Sequence, residues 1–190
     1  MIPLPLLGLG GVALLYVAIT NWNRDANSAV ELVPEVENEW DLADIDPRLI
    51  QAIGWPYYYG KGGPSTPWPM DGKPVQVDCS GFAQMALVRL GKLSATAPDR
   101  SSAQLAADSD PVEVGEQQVG DLAYYPGHVA VVASAPGPSG HSKVLSASGG
   151  GRTTLGNDSN ARVKVFSSAL YRGTYPLNKD GFVTYMRLKQ

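Results

Sequence analysis

The only cysteine of the chain, Cys79, stands at the start of a stretch with helical periodicity. Apolar residues recur three to four positions apart after it, at Phe82, Met85, Ala86 and Leu90. This spacing buries one face of a helix, and Gly91 is a residue type that commonly follows a helix end. The sequence therefore predicts a helix that begins near Cys79 and packs through one face.

A thiol at a helix N-terminus lies at the positive end of the helix dipole, which favours the thiolate. Cys79 is therefore a candidate nucleophile. A lone cysteine is also commonly a small buried apolar residue, and its position alone leaves both interpretations open.

A thiolate that attacks a carbonyl needs an imidazole to take its proton and return it to the leaving amine. The chain has two histidines. His128 opens a β-branched apolar run typical of a strand, whereas His141 ends a turn-rich segment, 136–141. His128 is the better candidate for the base.

Five short blocks follow one another in the chain: Pro56-Tyr57 with Gly60 and 62–63, then 78–82, 99–104, Gly120-Asp121 and 128–131. In this order they resemble the motifs of the NlpC-type cell-wall cysteine peptidases. The resemblance covers residues 46–190. It implies an α+β, circularly rearranged papain-like fold, with N-terminal helices packed on an antiparallel sheet.

The resemblance also implies roles for individual residues. Cys79 is the implied nucleophile and His128 the general base and acid. The Tyr57 hydroxyl would join the Cys79 backbone N–H in holding the oxyanion. The implied contacts to the free amine and carboxylates of the peptidoglycan stem peptide come from Asp78, Ser80 and Arg100. On sequence alone, Tyr57 is also explained by aromatic packing and Arg100 by surface exposure.

The chain departs from the family at the third catalytic position. The family usually has a polar residue there, often histidine, whereas this chain has Ser146. Strand alternation places His128 and Ser146 on one face and directs the alternate residues, such as Val129 and Leu145, to the core. Ser146 is therefore predicted to orient the imidazole, with His141 as the alternative. A serine hydroxyl stabilises an imidazolium less than a charged acceptor does.

The patterns outside these blocks predict further elements. Short helices are expected at 46–53 and 101–107, and strands near 143–148, 162–166 and 182–188. Helices thus precede the sheet, which is an α+β order.

Residues 2–20 contain no charged side chain, and about twenty apolar residues suffice to cross a bilayer as a helix. We expect residues 1–22 to form an uncleaved transmembrane anchor, rather than a cleaved signal or a helix packed in a protein assembly. Residues 23–45 are rich in acidic side chains and are predicted to be a solvated linker. A catalytic domain, 46–190, would follow.

These features predict a membrane-anchored cysteine endopeptidase that cuts the D-glutamyl-diamino acid bond of peptidoglycan, encoded by a bacterium or a phage. It would face the cell wall or lie in a virion membrane, with peptidoglycan and the lipid bilayer as partners. The alternatives are an amidase, a weak or inactive papain-like module with a structural or wall-binding role in an envelope or virion, and an acyltransferase acting on lipids. The net charge of −3 gives no case for nucleic-acid binding. No motif indicates a metal or other cofactor.

Overall fold

The structure, a computed structural model, describes residues 42–149, 160–167 and 183–189. The predicted anchor, 1–22, and residues 23–41 of the predicted linker lie outside these ranges. Among the described residues, no helix is long and apolar enough to cross a membrane. The last linker residues, 42–45, contain a 3₁₀ helix, Leu42–Asp44, followed by the buried Ile45.

Three α-helices precede the strands of one antiparallel sheet. The helices are α1 (Pro47–Ile50), α2 (Cys79–Arg89) and α3 (Ser102–Ala107). The described strands are β1 (Ser109–Val112), β2 (Leu122–Tyr125), β3 (His128–Val132), β4 (Lys143–Ser148), β5 (Arg162–Ser167) and β6 (Thr184–Leu188). They pair in the order β1-β6-β2-β3-β4-β5, every pair antiparallel. The predicted α+β class, with helices before an antiparallel sheet, is confirmed.

The predicted helices and the strands at β3, β4, β5 and β6 are present, but β1 and β2 were not predicted. Strand β1 contains Pro111 and the exposed Asp110. A proline within a short run argues against a strand, or for a strand at a sheet edge. Proline is tolerated there because β1 is an edge strand.

Both faces of the sheet are buried. The predicted alternation is confirmed, since Val129, Val131, Leu145 and Ala147 belong to the large apolar cluster that also contains α2. Only this face was predicted to be buried in a core, and that prediction is wrong. The opposite face carries a second buried cluster: Ala123, Tyr125, Ala130, Val132, Val144, Val183 and Tyr185.

Helix α2 is buried on all sides over its middle part, residues 81–87. The seven consecutive residues from Gly81 to Leu87 are buried, so the prediction of one buried face is wrong. The physical reason is the surroundings of α2, which packs against β3 and β4 and also contacts α1 and α3. A helix that is apolar all round belongs in the interior of a fold.

The buried carboxylate of Asp121 joins the beginning of β2 to β6. Arg187 donates from Nε to Oδ1 at 2.9 Å and from Nη2 to Oδ2 at 2.7 Å. The Gln118 backbone N–H donates to the same Oδ2 at 2.8 Å. The hydrogen bond with Asp121 raises the pKa of Arg187. This two-pronged pairing compensates the cost of burying the carboxylate.

Asp46 caps α1 and fixes this segment to the sheet. Its side chain accepts from the Arg48 backbone N–H at 2.9 Å, and its own N–H donates to the Ala133 carbonyl at 2.8 Å. The Arg48 guanidinium also donates to both carboxylate oxygens. These hydrogen bonds with Arg48 lower the pKa of Asp46.

We predict that Asp46→Asn removes a pH-dependent part of the stability. Asparagine caps helices as well as aspartate does, so the change isolates the charge pair with Arg48, worth about 0.5 kcal/mol for a partly exposed pair. Because the folded pKa is depressed, this stabilisation is present above the unfolded value of about 4 and is lost as pH falls through the folded pKa. Urea unfolding from pH 7 to pH 2.5 measures it. A difference between the two proteins that persists undiminished at pH 2.5 would contradict the assignment.

Candidate active site

The first turn of α2 is held by the side chain of Asp78. This residue is the N-cap, and its Oδ1 accepts from the Gly81 backbone N–H at 2.7 Å and from the Ser80 hydroxyl at 3.0 Å. Its Oδ2 accepts from the Gly60 N–H at 2.8 Å, and its own N–H donates to the Lys61 carbonyl at 2.9 Å. One residue thus joins the helix start to the preceding glycine-rich loop.

Two glycines allow this loop, residues 60–63, to lie directly against the helix. A Cβ at Gly81 would collide with the Lys61 carbonyl oxygen and lie 2.9 Å from the Gly62 Cα. A Cβ at Gly62 would lie 2.9 Å from the Gly81 carbonyl carbon, and Gly62 has a φ of +92°. Both positions therefore exclude side chains, and Gly62 also needs a left-handed backbone.

Cys79 is the first residue of α2, directly after the cap. It is partly buried and packs against the large apolar cluster. The unpaired N–H groups and dipole at this helix end favour the thiolate. The placement of Cys79 at a helix start, predicted from sequence, is confirmed.

Tyr57 lies beside the segment that leads into Cys79. It forms a parallel bridge with Val77, and the next residue, Tyr58, donates its N–H to the Val77 carbonyl at 2.9 Å. The Tyr57 N–H donates to the Ala161 carbonyl at 2.8 Å, and its side chain is buried. The backbone of Tyr57 is therefore held on both sides. Its bridge partner, Val77, is two residues before Cys79 in the chain.

His128 and Ser146 meet in the buried part of the sheet. His128 opens β3 and Ser146 lies in β4; their Nε2 and Oγ atoms are 2.7 Å apart. The Ser146 hydroxyl also lies 3.3 Å from the Val129 carbonyl oxygen, to which it donates. Which of the two atoms donates depends on the tautomer of the ring. A hydroxyl that donates to the carbonyl is able to accept from an Nε2–H, and in that tautomer Nδ1 is the basic nitrogen of the neutral ring.

The other histidine has a different partner. His141 Nδ1 lies 3.2 Å from the hydroxyl of Tyr185, a residue of the second apolar cluster. The alternative orienter proposed from sequence is therefore engaged with β6. The hydrogen-bond partner of His128 Nε2 is the Ser146 hydroxyl.

Of the predicted substrate-binding residues, Asp78 and Ser80 lie at the start of α2, and the side chain of Arg100 contacts the end of α3. Ser80 follows Cys79 and bonds the cap carboxylate. Arg100 precedes α3, where its Nε forms an ion pair with Asp108 Oδ2 at 2.8 Å. The Nη1 atom of Arg100 is buried without a hydrogen-bond partner.

Gln84 is a site residue that the sequence analysis missed. Its side chain is fully buried and bonds both the Ser80 carbonyl and the segment that carries Arg100. The available signal was a polar residue within the apolar run 82–87, because a buried amide requires hydrogen-bond partners.

No metal site is evident in the described ranges, where no three His, Cys, Asp or Glu side chains cluster suitably. A groove of about 400 Å³ lies between the segment 64–68 and the later turns of α2, lined there by Met85, Val88 and Arg89. None of the candidate catalytic residues lines it.

One family model matches this chain in a comparison with known protein families. The NlpC/P60 family model matches residues 54–171, more than half of the chain, and no curated protein matches. Among solved structures, the peptidoglycan hydrolase RipB from Mycobacterium tuberculosis is similar at 25% identity over 75% of this chain, with a TM-score of 0.44. The match covers 62% of RipB, less than two thirds of its length. The P60 domain of an antigen from Mycobacterium avium subspecies paratuberculosis is similar at 24% identity over 74% of this chain and 88% of its own, with a TM-score of 0.43.

We predict that Gly81→Ala destabilises the protein by about 1–3 kcal/mol, the cost of forcing atoms into a packed interior. In an uncrowded helix the same change stabilises by about 0.5–1 kcal/mol. The sign of the change in unfolding free energy therefore tests whether the loop lies directly against the helix. Urea unfolding measures the change. The control is Gly137→Ala, where the added Cβ would meet only the His141 carbonyl oxygen, at 3.5 Å. Stabilisation by Gly81→Ala would contradict the packing described.

Proposed function

Because the chain belongs to the NlpC/P60 family, as its sequence motifs predicted, we propose that it is a cysteine peptidase that hydrolyses peptidoglycan. The bond we assign is that between D-glutamate and the diamino acid of the stem peptide. This assignment rests on the family resemblance of the blocks around Cys79 and His128.

The single observation that carries the proposal is the hydrogen bond between His128 and Ser146. It supplies an oriented imidazole on a strand, β3, against which the helix of Cys79 packs. A nucleophile with a base that is itself oriented by a third group is the arrangement used in covalent catalysis.

In the proposed reaction, His128 Nδ1 takes the Cys79 proton and the thiolate attacks the scissile carbonyl carbon. The tetrahedral intermediate collapses to a thioester, the C–N bond breaks, and the imidazolium gives its proton to the leaving amine. A water that loses a proton to His128 then attacks the thioester and releases the acid and Cys79. The Cys79 backbone N–H and the Tyr57 hydroxyl would stabilise the oxyanion in both steps.

Ser146 would act by orientation. Its hydroxyl lies within hydrogen-bond distance of both His128 Nε2 and the Val129 carbonyl. In the proposed arrangement it would accept from Nε2–H and donate to that carbonyl, which would select the tautomer with a basic Nδ1. Because the hydroxyl is neutral, it stabilises the imidazolium less than a carboxylate would. The same observation favours the second candidate function, a weak or inactive module that binds the cell wall or has a structural role.

The cellular setting is part of the proposal. A membrane anchor at 1–22 would hold the domain near its substrate, in the bacterial envelope or in a phage virion. That segment lies outside the described residues, so the setting rests on the apolar run alone.

We predict that the full chain, incubated with purified peptidoglycan, releases fragments ending at D-glutamate. Mass spectrometry identifies them, and Cys79→Ala and His128→Ala should reduce release to background because the nucleophile or the base is lost. Release of intact stem peptides would identify an amidase. No Cys79-dependent release would favour the binding module, and fatty acid released from lipid vesicles would indicate acyl transfer.

We predict that Ser146→Ala lowers kcat about tenfold, less than the roughly 10²–10⁴-fold contribution of a general base. Ser146→His should retain or raise activity, because an imidazole can also accept from Nε2–H. Steady-state kinetics on a synthetic stem peptide measure both changes. The control is Ser134→Ala, a buried serine beyond the end of β3 that bonds Lys143 and Ala135. Unchanged kcat in Ser146→Ala would rule out the orienting role.

A further inference from the structure

The start of β3 is paired with β2 and not with β4. A two-residue turn, Pro126-Gly127, places His128 directly opposite Tyr125 in the ladder between β2 and β3. In the described residues, the ladder between β3 and β4 begins at Val131 and does not extend to His128. The backbone position of His128 is therefore set by the hairpin that β2 forms with β3.

The side chains of Tyr125 and His128 pack together on one face of the sheet. Residues that are directly opposite in an antiparallel pair direct their side chains to the same face. The two ring centroids are 6.4 Å apart and the ring planes are inclined by 51°, within the range of packed aromatic pairs. Only 1% of Tyr125 and 4% of His128 is exposed. Because Tyr125 also belongs to the second apolar cluster, its ring is a fixed neighbour of the imidazole.

The hydroxyl of Ser146 constrains only one edge of the imidazole. Its Oγ lies 2.7 Å from His128 Nε2, and a single hydrogen bond makes a modest net contribution to the free energy. The torsion that turns a histidine ring about its Cβ–Cγ bond has broad minima, so the side chain does not fix the plane of its own ring. The packed ring of Tyr125 beside the imidazole supplies a second constraint.

We propose that Tyr125 is a positioning residue for His128. Its aromatic ring limits the planes that the imidazole can occupy and, together with the Ser146 hydroxyl, holds the imidazole in one orientation. The inference rests on the proposed function, because the role of His128 as the base belongs to that proposal. A base held in the productive orientation reacts faster than one that samples several orientations. Tyr125 acts through His128 and does not touch the reacting atoms.

Tyr185 offers a matched control, because its ring lies beside the other histidine in a similar way. It is also 1% exposed and belongs to the same apolar cluster. Its ring centroid lies 6.3 Å from that of His141, and the ring planes are inclined by 44°. Tyr185→Leu therefore removes a comparable ring from the same cluster, but beside a histidine to which we assign no role in the reaction.

The first test is nuclear magnetic resonance of the ring nitrogens in the isotope-labelled full chain, which does not depend on turnover. The chain has two histidines, so His141→Gln identifies the signals of His128. At alkaline pH, where imidazoles are neutral, a ring held in one orientation keeps one tautomer and its two nitrogen shifts are widely separated. We expect Tyr125→Leu to bring the two His128 shifts closer together. Tyr125→Phe, which keeps the ring, and the control Tyr185→Leu should leave them unchanged.

The second test is steady-state kinetics on a synthetic stem peptide. We expect Tyr125→Leu to lower kcat about tenfold with KM unchanged, because a displacement of about 1 Å can cost up to roughly a hundredfold in rate. Tyr125→Phe should retain most of the activity, and Tyr185→Leu should leave kcat unchanged. Tyr125→Leu and Ser146→Ala act on the same ring, so the loss in the double variant should differ from the product of the two single losses.

Unchanged His128 nitrogen shifts in Tyr125→Leu, or an equal change in Tyr185→Leu, would overturn the proposal. A change in Tyr125→Phe as large as that in Tyr125→Leu would also overturn it, because the hydroxyl rather than the ring would then be responsible. If Tyr125→Leu does not fold, Tyr125→Met carries the same comparison with a flexible side chain that fills irregular space.

The two tests separate this inference from the proposed function. If the unaltered protein shows no turnover while the His128 shifts respond as expected, the proposed function is contradicted and the positioning of the ring by Tyr125 stands. If the unaltered protein turns over the peptide while Tyr125→Leu changes neither the His128 shifts nor kcat, the inference alone is contradicted.

Discussion

The carboxylate of Asp78 is the interaction on which the candidate site depends. It caps α2, accepts from Gly60 in the preceding loop and bonds Ser80 beside the nucleophile candidate. Without it, the N–H groups of the first turn and of the loop would lose a shared acceptor, and the position of Cys79 would no longer be defined. The close contact of Gly62 with the helix adds a steric constraint to the same junction.

The other half of the candidate site, His128 and Ser146, lies on strands rather than at a helix start. His128 and Ser146 are positioned by strands that are buried on both faces, and the hydrogen bond between the imidazole and the neutral Ser146 hydroxyl contributes to the orientation of the ring. A neutral orienter gives less stabilisation of the imidazolium. The fold thus provides a nucleophile candidate at a helix end and a base candidate bonded to a hydroxyl, on a helix and strands that pack against each other.

Much of the fold was predictable because local patterns agree with it. The helix start at Cys79, the cap at Asp46 and the strand that opens at His128 follow from periodicity and residue type. Two errors have specific causes. Strand β1 was not predicted because it contains Pro111, which is tolerated at the sheet edge. Helix α2 was predicted to bury one face, but elements distant in sequence bury it on all sides over residues 81–87. No local pattern encodes what surrounds a helix.

The sequence by itself determined which residue types are available for chemistry and where helices and strands place them. One cysteine, two histidines and their flanking patterns limit the candidates for a nucleophile and its base. Only the tertiary structure decided between Ser146 and His141 as the partner of His128, and showed that His141 contacts Tyr185 and that Gln84 bonds the Arg100 backbone. These contacts join residues 16 to 44 positions apart, and such pairing depends on how the elements pack, which local propensity does not specify.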